Sequence, residues 1–326
     1  MSIDSIRSRH SLFWLVLVLG LSIAAIMGVK RYLALRHEAE LQAAIRQLRS
    51  EFFAEDYEGA ALEGEKLIKQ FAASSELKAW YLSCLARSDE RAEARKLATE
   101  VVQSHPNDPW SWFTLASVLN VENSQDSQAQ ALAASEKALA LMPRHPDFLW
   151  LRAETLFFQG RAEEVPAFVD RHRTDLQSPA ELLVVKARAL EYLGTRVRPD
   201  QSKVAAAYAA LEEARRIDPQ NFEAYNLAGV YLTHEGLPAD AIPLLERAVR
   251  LQPSSLSGHW NYWRAFNALA PTQKSAREAA VRVDVDSMLE RGGSRPKTLS
   301  FIAFQYGEMG ELSKQRMIGD RVLTGC

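Results

Sequence analysis

The sequence has few of the residues and none of the short motifs that build catalytic and metal centres. Its only cysteines, Cys84 and Cys326, lie far apart, which excludes a CxxC zinc site and a disulfide framework. It contains no nucleophile elbow, phosphate-binding loop, GxGxxG fingerprint or HExxH motif. Its seven histidines are scattered and fit ordinary turn and surface roles. We therefore expect no enzyme activity, no catalytic residues, no bound metal and no cofactor.

An excess of charge of one sign is also missing. The chain has 39 lysines and arginines against 41 aspartates and glutamates, a net charge of −2, and 47% of its residues are hydrophobic. This balance indicates a globular protein rather than a disordered one, and it excludes a strongly basic surface for nucleic acid. We expect no nucleic-acid partner. With 326 residues, the chain is long enough for two ordinary domains or one long repeat array.

One long uncharged run stands near the N-terminus. Residues 12–29 read LFWLVLVLGLSIAAIMGV, about 27 Å of helix against a bilayer core about 30 Å thick. A cleaved signal peptide is the alternative, with Ser22–Ala24 as its cleavage site, but the run is longer than the apolar region of most signal peptides and continues beyond that site. The sequence predicts a short basic tail at residues 1–11, a transmembrane anchor at 12–29 and a juxtamembrane helix at 30–40.

Basic residues flank the predicted anchor on both sides. The longer basic flank on its C-terminal side favours a cytoplasmic body, whereas Arg7, Arg9 and the terminal amine oppose export of the tail. We expect a single-pass protein of the bacterial inner membrane whose body lies on the periplasmic side. Gly20, Ala24 and Gly28 recur every four residues, and such a stripe lets membrane helices pair. A homodimer through this stripe is a hypothesis, and chance is its alternative.

The rest of the chain repeats itself. Four segments share a proline, a few polar residues and then an aromatic-rich helix: SHPNDPWSWFTLASVL, LMPRHPDFLWLRAETL, RIDPQNFEAYNLAGVY and RLQPSSLSGHWNYWRAF. Their prolines, Pro106, Pro143, Pro219 and Pro253, are separated by 37, 76 and 34 residues, and 76 equals two units of 34 plus 8. A period of this length is typical of stacked helical hairpins.

The clearest unit, residues 221–253, resembles the tetratricopeptide repeat family, whose 34-residue unit is a helix–turn–helix with small and large residues at fixed positions. The matching residues are Tyr225, Ala228, Gly229, Leu232, Gly236, Ala241, Leu245, Ala248 and Pro253. The resemblance implies an all-α, right-handed superhelical solenoid over residues 41–326. Its best repeats are 109–143, 146–177, 179–219 and 222–253.

Gly229 lies in the middle of a predicted helix, where a glycine costs about 1 kcal/mol relative to alanine. We expect this glycine, with Ala241 and Ala248 on the second helix, to leave room for close packing of the hairpin. We expect Gly236 to end the first helix with a positive φ. Cys84 lies within an apolar helix and is predicted to be buried and inert.

In the family, the first helix of each unit lines a concave face that binds segments of other proteins. Carried over in register, the candidate groove residues are Trp110, Phe113, Ser117, Asn120, Asp147, Trp150, Glu154, Phe157, Arg188, Glu191, Asn226, Val230, Trp260 and Arg264. Exposed aromatic side chains in this set would anchor an apolar peptide. The alternative is that Trp110, Phe113, Trp150 and Phe157 pack between units.

The resemblance implies a membrane-anchored scaffold or adaptor that binds a protein or peptide partner. Anchored repeat proteins of this kind serve cell-envelope assembly and secretion. The alternative is a regulatory or substrate-recruiting subunit of a separately encoded enzyme complex. A further hypothesis concerns the last helix, where Leu312, Met317, Ile318 and Leu323 are predicted to expose an apolar edge used in assembly.

Overall fold

A computed structural model describes the backbone of residues 3–88, 90–122, 124–292 and 296–324, and the side chains of residues 25–88, 90–122, 124–289 and 298–323. Across that described backbone there are α-helices and short helical turns but no strand. The α-helices are α1 (Ile3–Phe53), α2 (Tyr57–Gln70), α3 (Ser75–Arg87), α4 (Arg91–Ser104), α5 (Pro109–Leu119), α6 (Gln125–Leu141), α7 (Pro146–Phe158), α8 (Val165–His172), α9 (Ala180–Tyr192), α10 (Gln201–Ile217), α11 (Phe222–His234), α12 (Pro238–Leu251), α13 (Leu256–Ala268), α14 (Pro271–Gly292), α15 (Pro296–Glu308) and α16 (Leu312–Thr324).

From α3 onwards the helices form antiparallel hairpins that stack in chain order. The odd-numbered helices α3 to α15 are the first helices of their hairpins, and the even-numbered helices α4 to α16 are the second. Each first helix from α3 to α11 also packs against the first helix of the next hairpin. The predicted all-α solenoid of helix–turn–helix repeats is confirmed.

Polar residues that follow the repeat prolines begin the first helices. Asn221 Oδ1 accepts a hydrogen bond from the Ala224 amide at 2.9 Å, and Ser255 Oγ accepts one from the Gly258 amide at 3.2 Å. Such caps satisfy amides that have no partner within the helix. The recurring order of proline, polar cap and aromatic helix along this chain therefore fixes where each hairpin starts.

Gly229 makes the close helix contact that the sequence predicts. A Cβ atom at this position would lie 2.4 Å from Leu245 Cγ, so the side chain of α12 fills the space that the glycine leaves on α11. Gly236 ends α11 with a φ of 76°, as expected for a left-handed helix end. Gly160 and Gly310 end their helices in the same way, with φ of 72° and 75°.

The chain divides into two compact units, residues 1–47 and residues 48–326. Within the first unit, residues 25–47 form a helical rod in which Arg36 Nε donates to Glu40 Oε1 at 2.8 Å. None of the helices that the described residues form is both long and apolar enough to span a bilayer. The side chains of the predicted tail and of residues 12–24 in the predicted anchor, with Gly20 and Ala24, lie outside the described set.

The last helix exposes part of the predicted apolar edge. Leu312, Met317 and Leu323 are 67%, 52% and 86% exposed, but Ile318 is fully buried, so its assignment to the edge is wrong. Successive residues of a helix point about 100° apart, which turns Ile318 away from its neighbour Met317 and into the hairpin core. Cys84 is buried as predicted, and burial raises the pKa of its thiol.

Candidate functional site

The candidate site is the surface that the first helices share, which we call the groove. The predicted groove residues lie on α5, α7, α9, α11 and α13, or at their ends, and these helices are neighbours in the array. The structure thus places the set along one continuous surface. The part of the groove on α5, α7 and α9 is already occupied by another segment of the chain.

The C-terminal end of α1 occupies this part of the groove. Phe52 lies with its ring centroid 5.2 Å from that of Trp80 and 5.6 Å from that of Trp150. Phe53 lies 5.0 Å from the Trp150 ring, and Phe113 lies 5.2 Å from the Trp80 ring. These five rings form the aromatic cluster of the groove. Most of the pairs are edge-to-face, the arrangement that aromatic rings favour.

Arg49 joins the end of α1 to two further repeats. Its Nη2 atom lies 2.8 Å from Asp147 Oδ1 on α7 and 3.1 Å from Glu181 Oε1 on α9. Its guanidinium also lies 5.1 Å from the centroid of the Phe53 ring. Burial alone would lower the pKa of Arg49, but the two carboxylates outweigh burial and raise it. Arg49 therefore stays charged inside the groove.

The opposite face of the same segment contacts the sixth and seventh hairpins. Gln252 Nε2 donates to Ser50 Oγ, and Ser255 Oγ donates to the Ala54 carbonyl at 2.6 Å. Ala54 is fully buried in an apolar cluster with Phe222. The segment Leu48–Ala54, which we call the resident segment, is therefore enclosed from two sides.

Most of the predicted groove residues are consequently buried. Trp110, Phe113 and Trp150 are 8%, 0% and 3% exposed, which agrees with the packing alternative for these aromatics. Ser117, Asn120, Asp147, Glu154 and Asn226 are buried as well. Phe157, Arg188, Glu191 and Val230 are half-buried.

The buried polar members of the set bond within the protein. The Asn120 side-chain amide donates to Thr155 Oγ1 at 3.0 Å, and Asn261 Nδ2 donates to Asn226 Oδ1 at 3.0 Å. Ser117 Oγ accepts from Arg87 Nη1 at 3.4 Å. These bonds connect neighbouring first helices, so the residues act in the stacking of hairpins.

A small charged cavity of 70 Å³ lies beside the resident segment. Arg188 on α9 forms an ion pair with Glu154 on α7 and lies 3.6 Å from Glu223 Oε1 on α11. Burial raises the pKa of Glu223 to about 8, helped by Glu154 and Glu55 and opposed by Arg188. The Glu223 carboxyl is therefore largely protonated at neutral pH.

Glu55 covers the cavity from the turn between α1 and α2. Its φ of 60° makes it the one described non-glycine residue in the left-handed region. Gly160 and Gly310, which follow first helices in other hairpins, have similar φ values. A non-glycine residue in this conformation costs about 1–2 kcal/mol, so the turn holds Glu55 under strain.

The groove is open at its C-terminal end. Trp260 on α13 is 44% exposed and Phe304 on α15 is 45% exposed, and their ring centroids are 6.2 Å apart. Phe301 lies under them, with its centroid 5.7 Å from that of Trp260. Arg264 is exposed one turn further along α13, with Nη2 3.1 Å from His234 Nε2. Trp260 and Arg264 are thus the predicted groove residues that remain accessible.

Sequence reasoning missed Arg49, Phe52, Phe53 and Trp80 as groove residues. The register of the first hairpin contained a usable signal, because Arg49 and Phe52 follow Ile45 at helical spacing. No group of histidine, cysteine, aspartate and glutamate side chains among the described residues is arranged to hold a metal ion. The site offers contact surfaces and ion pairs.

Comparison with known proteins places this arrangement. A family model described as tetratricopeptide repeat matches residues 199–255. The chain is similar to the DnaJ homolog subfamily C member 7 homolog of Schizosaccharomyces pombe, with 24% identity over 196 residues that cover 57% of this chain and 40% of that protein. The chain therefore spans less than half the length of this curated relative.

Among solved structures, the APC/C hetero-tetramer Cut9–Hcn1 matches with a TM-score of 0.54 and 13% identity, covering 87% of this chain and 52% of the other. TTC0263, a TPR protein of Thermus thermophilus, matches with a TM-score of 0.45 and 13% identity, covering 59% of this chain and 99% of the other. The Cut9–Hcn1 likeness shows the fold alone. The family-model match and the stacked hairpins identify the chain as a tetratricopeptide repeat protein.

Proposed function

We propose that this protein is a membrane-anchored scaffold that binds a partner polypeptide at the open C-terminal end of its groove. Tetratricopeptide repeats are interaction scaffolds and are typically not catalytic, and the described residues show contact surfaces of the same kind. The apolar run at residues 12–29 supports the anchor. Placement of the body on the periplasmic side, and a role in cell-envelope assembly or secretion, belong to the same proposal.

The exposure of Trp260 beside Phe304 is the observation that carries this proposal. The other predicted groove tryptophans are buried, whereas these two rings present a joint apolar surface on adjacent first helices. Arg264 adds an exposed positive charge one turn away. Aromatic and arginine side chains dominate the binding energy of many protein interfaces. The surface therefore fits a segment with an apolar side chain followed by a carboxylate.

Crosslinked affinity purification from membranes tests the proposal. Trp260→Ala should reduce capture of the partner at least tenfold, while the melting temperature stays within a few degrees of wild type. Leu141→Ala is the matched control, because Leu141 is 40% exposed but lies on the second helix α6. Equal capture by both variants would remove the assigned surface. Protease protection of the body in intact cells tests sidedness separately.

The identity of the captured protein separates the two functional classes. A single enzyme that co-purifies in fixed proportion would make this chain its recruiting subunit. An assembly component without catalytic activity would support the adaptor.

A further inference from the structure

The resident segment breaks the contact rule of a repeat array. In such arrays each repeat contacts its neighbours, but Arg49 bonds to Asp147 and Glu181, which are 98 and 132 residues away. Ser50 and Ala54 bond to residues more than 200 positions away. The helix end that begins the array thus lies in the groove of four later hairpins.

The contacts have the chemistry of recognition as well as of packing. Arg49 pairs with carboxylates from two hairpins, and Phe52 and Phe53 enter a surface built from Trp80 and Trp150. A buried arginine with two carboxylates depends on geometry and gives specificity more than stability. Apolar residues at these positions would fill a core more simply. The pattern suits a ligand and its site.

The fit of the resident segment is incomplete. The cavity of 70 Å³ separates it from Glu154, Arg188 and Glu223, whereas ordinary cores are close-packed. The indole nitrogen of Trp80 is fully buried among the cluster rings and has no acceptor among the described residues. A buried donor without a partner costs about 1–3 kcal/mol. A different helix that supplied an acceptor here would bind better than the resident one.

We propose that the resident segment is a built-in ligand of the groove, and that an external partner of this part of the groove is a helix with the same pattern. That pattern is an arginine followed three and four residues later by two aromatic residues, as in Arg49, Phe52 and Phe53. The partner binds when the resident segment leaves. This site is separate from the Trp260 surface, and the proposal does not rest on it.

Tethering explains why the groove is closed at rest. A segment attached by a short connection has an effective concentration of about 1 mM at its site. A free partner at micromolar concentration competes poorly with it unless the partner binds more tightly or the resident contacts are weakened. The groove therefore responds to changes at the resident segment.

A peptide of residues 44–58 added to the full-length chain in mild detergent tests the proposal. Its fluorescence anisotropy should show binding to Phe52→Ala/Phe53→Ala and to Arg49→Glu at least tenfold tighter than to wild type. The control peptide carries alanine in place of both phenylalanines and should bind neither variant. Circular dichroism establishes that each variant is folded. Equal affinity of the peptide for wild type and variants, or no binding to folded variants, would overturn the proposal.

Hydrogen exchange of the wild-type chain provides a readout that needs no variant. A built-in ligand opens by itself, so amides of residues 48–54 should exchange at least tenfold faster than those of α5 and α11. Exchange of all three segments at one common rate would make the resident segment part of the core, and the proposal would be wrong. Dimers that form by exchange of this segment would make a second copy its partner and would also overturn it.

Discussion

The contact between Gly229 and Leu245 gives a prediction with a calculable sign. Gly229→Ala gains about 1 kcal/mol of helix propensity. The new methyl group would lie 2.4 Å from Leu245 Cγ and 2.6 Å from its Cδ2, and Leu245 is fully buried. Overfilling a packed core costs about 1–3 kcal/mol. We expect a net loss of about 1 kcal/mol in the stability of this hairpin.

Gly319→Ala is the matched control. Gly319 is also inside a helix, α16, but no atom lies within 4 Å of a Cβ built on it. The same substitution should therefore stabilise its hairpin by about 0.5–1 kcal/mol. Hydrogen exchange of amides in α11, α12 and α16 measures the opening free energy of each hairpin separately. The two variants should shift these energies in opposite directions.

A double-mutant cycle isolates the contact itself. Leu245→Ala alone should cost about 2–5 kcal/mol because it leaves a cavity. In that background Gly229→Ala should become stabilising, because its methyl group enters the vacated space. An effect of Gly229→Ala that is the same in both backgrounds would show that the two residues do not interact. The explanation of Gly229 as a packing site would then be wrong.

Three other substitutions test the groove. Glu55→Gly should stabilise the chain by about 1 kcal/mol in urea unfolding because it relieves the left-handed strain, whereas Glu55→Ala removes the same charge and keeps the strain. Because the folded pKa of Glu223 is about 8, above its unfolded value of 4.5, its contribution to stability is complete below pH 4.5 and is lost as the pH rises through 8. The melting temperature should therefore fall between pH 5 and 9, and Glu223→Gln should flatten that fall. Trp150→Ala should cost about 3–5 kcal/mol, as for a core tryptophan, while Trp260→Ala should cost less than about 1 kcal/mol; similar losses at both positions would contradict the division of the groove into buried and open parts.

The repeat architecture was predictable because it rests on local packing between the two helices of one hairpin. Gly229 and Leu245 are 16 residues apart in sequence, and the need for a small residue opposite a large one recurs with each unit. The positive φ of Gly236 follows from the same local geometry. Such features are visible in a single repeat and need no knowledge of the whole array.

Occupation of the groove was not predictable in that way. Whether Arg49 reaches Asp147 and Glu181 depends on the small rotation between successive hairpins, summed over several units. Local spacing assigned the resident segment to the first hairpin and gave no sign that its outer face would meet the sixth and seventh. The strain at Glu55 is also a property of the folded turn.

Trp150 and Trp260 show how one register position acquires two roles. Trp260 follows Asn226 by 34 residues, and Trp150 precedes Asn226 by two such units plus the eight-residue insertion, so the repeat pattern gives both tryptophans the same place on a first helix. Trp150 is 3% exposed because the resident segment covers it, whereas Trp260 is 44% exposed. Since their local sequence position is equivalent, the difference comes from the end of α1. Removal of the resident contacts should therefore expose Trp150 to a ligand and leave Trp260 unchanged. Quenching of tryptophan fluorescence by acrylamide should rise in Phe52→Ala/Phe53→Ala when Trp260 is replaced by phenylalanine, and no rise would show that the groove stays closed without its resident segment.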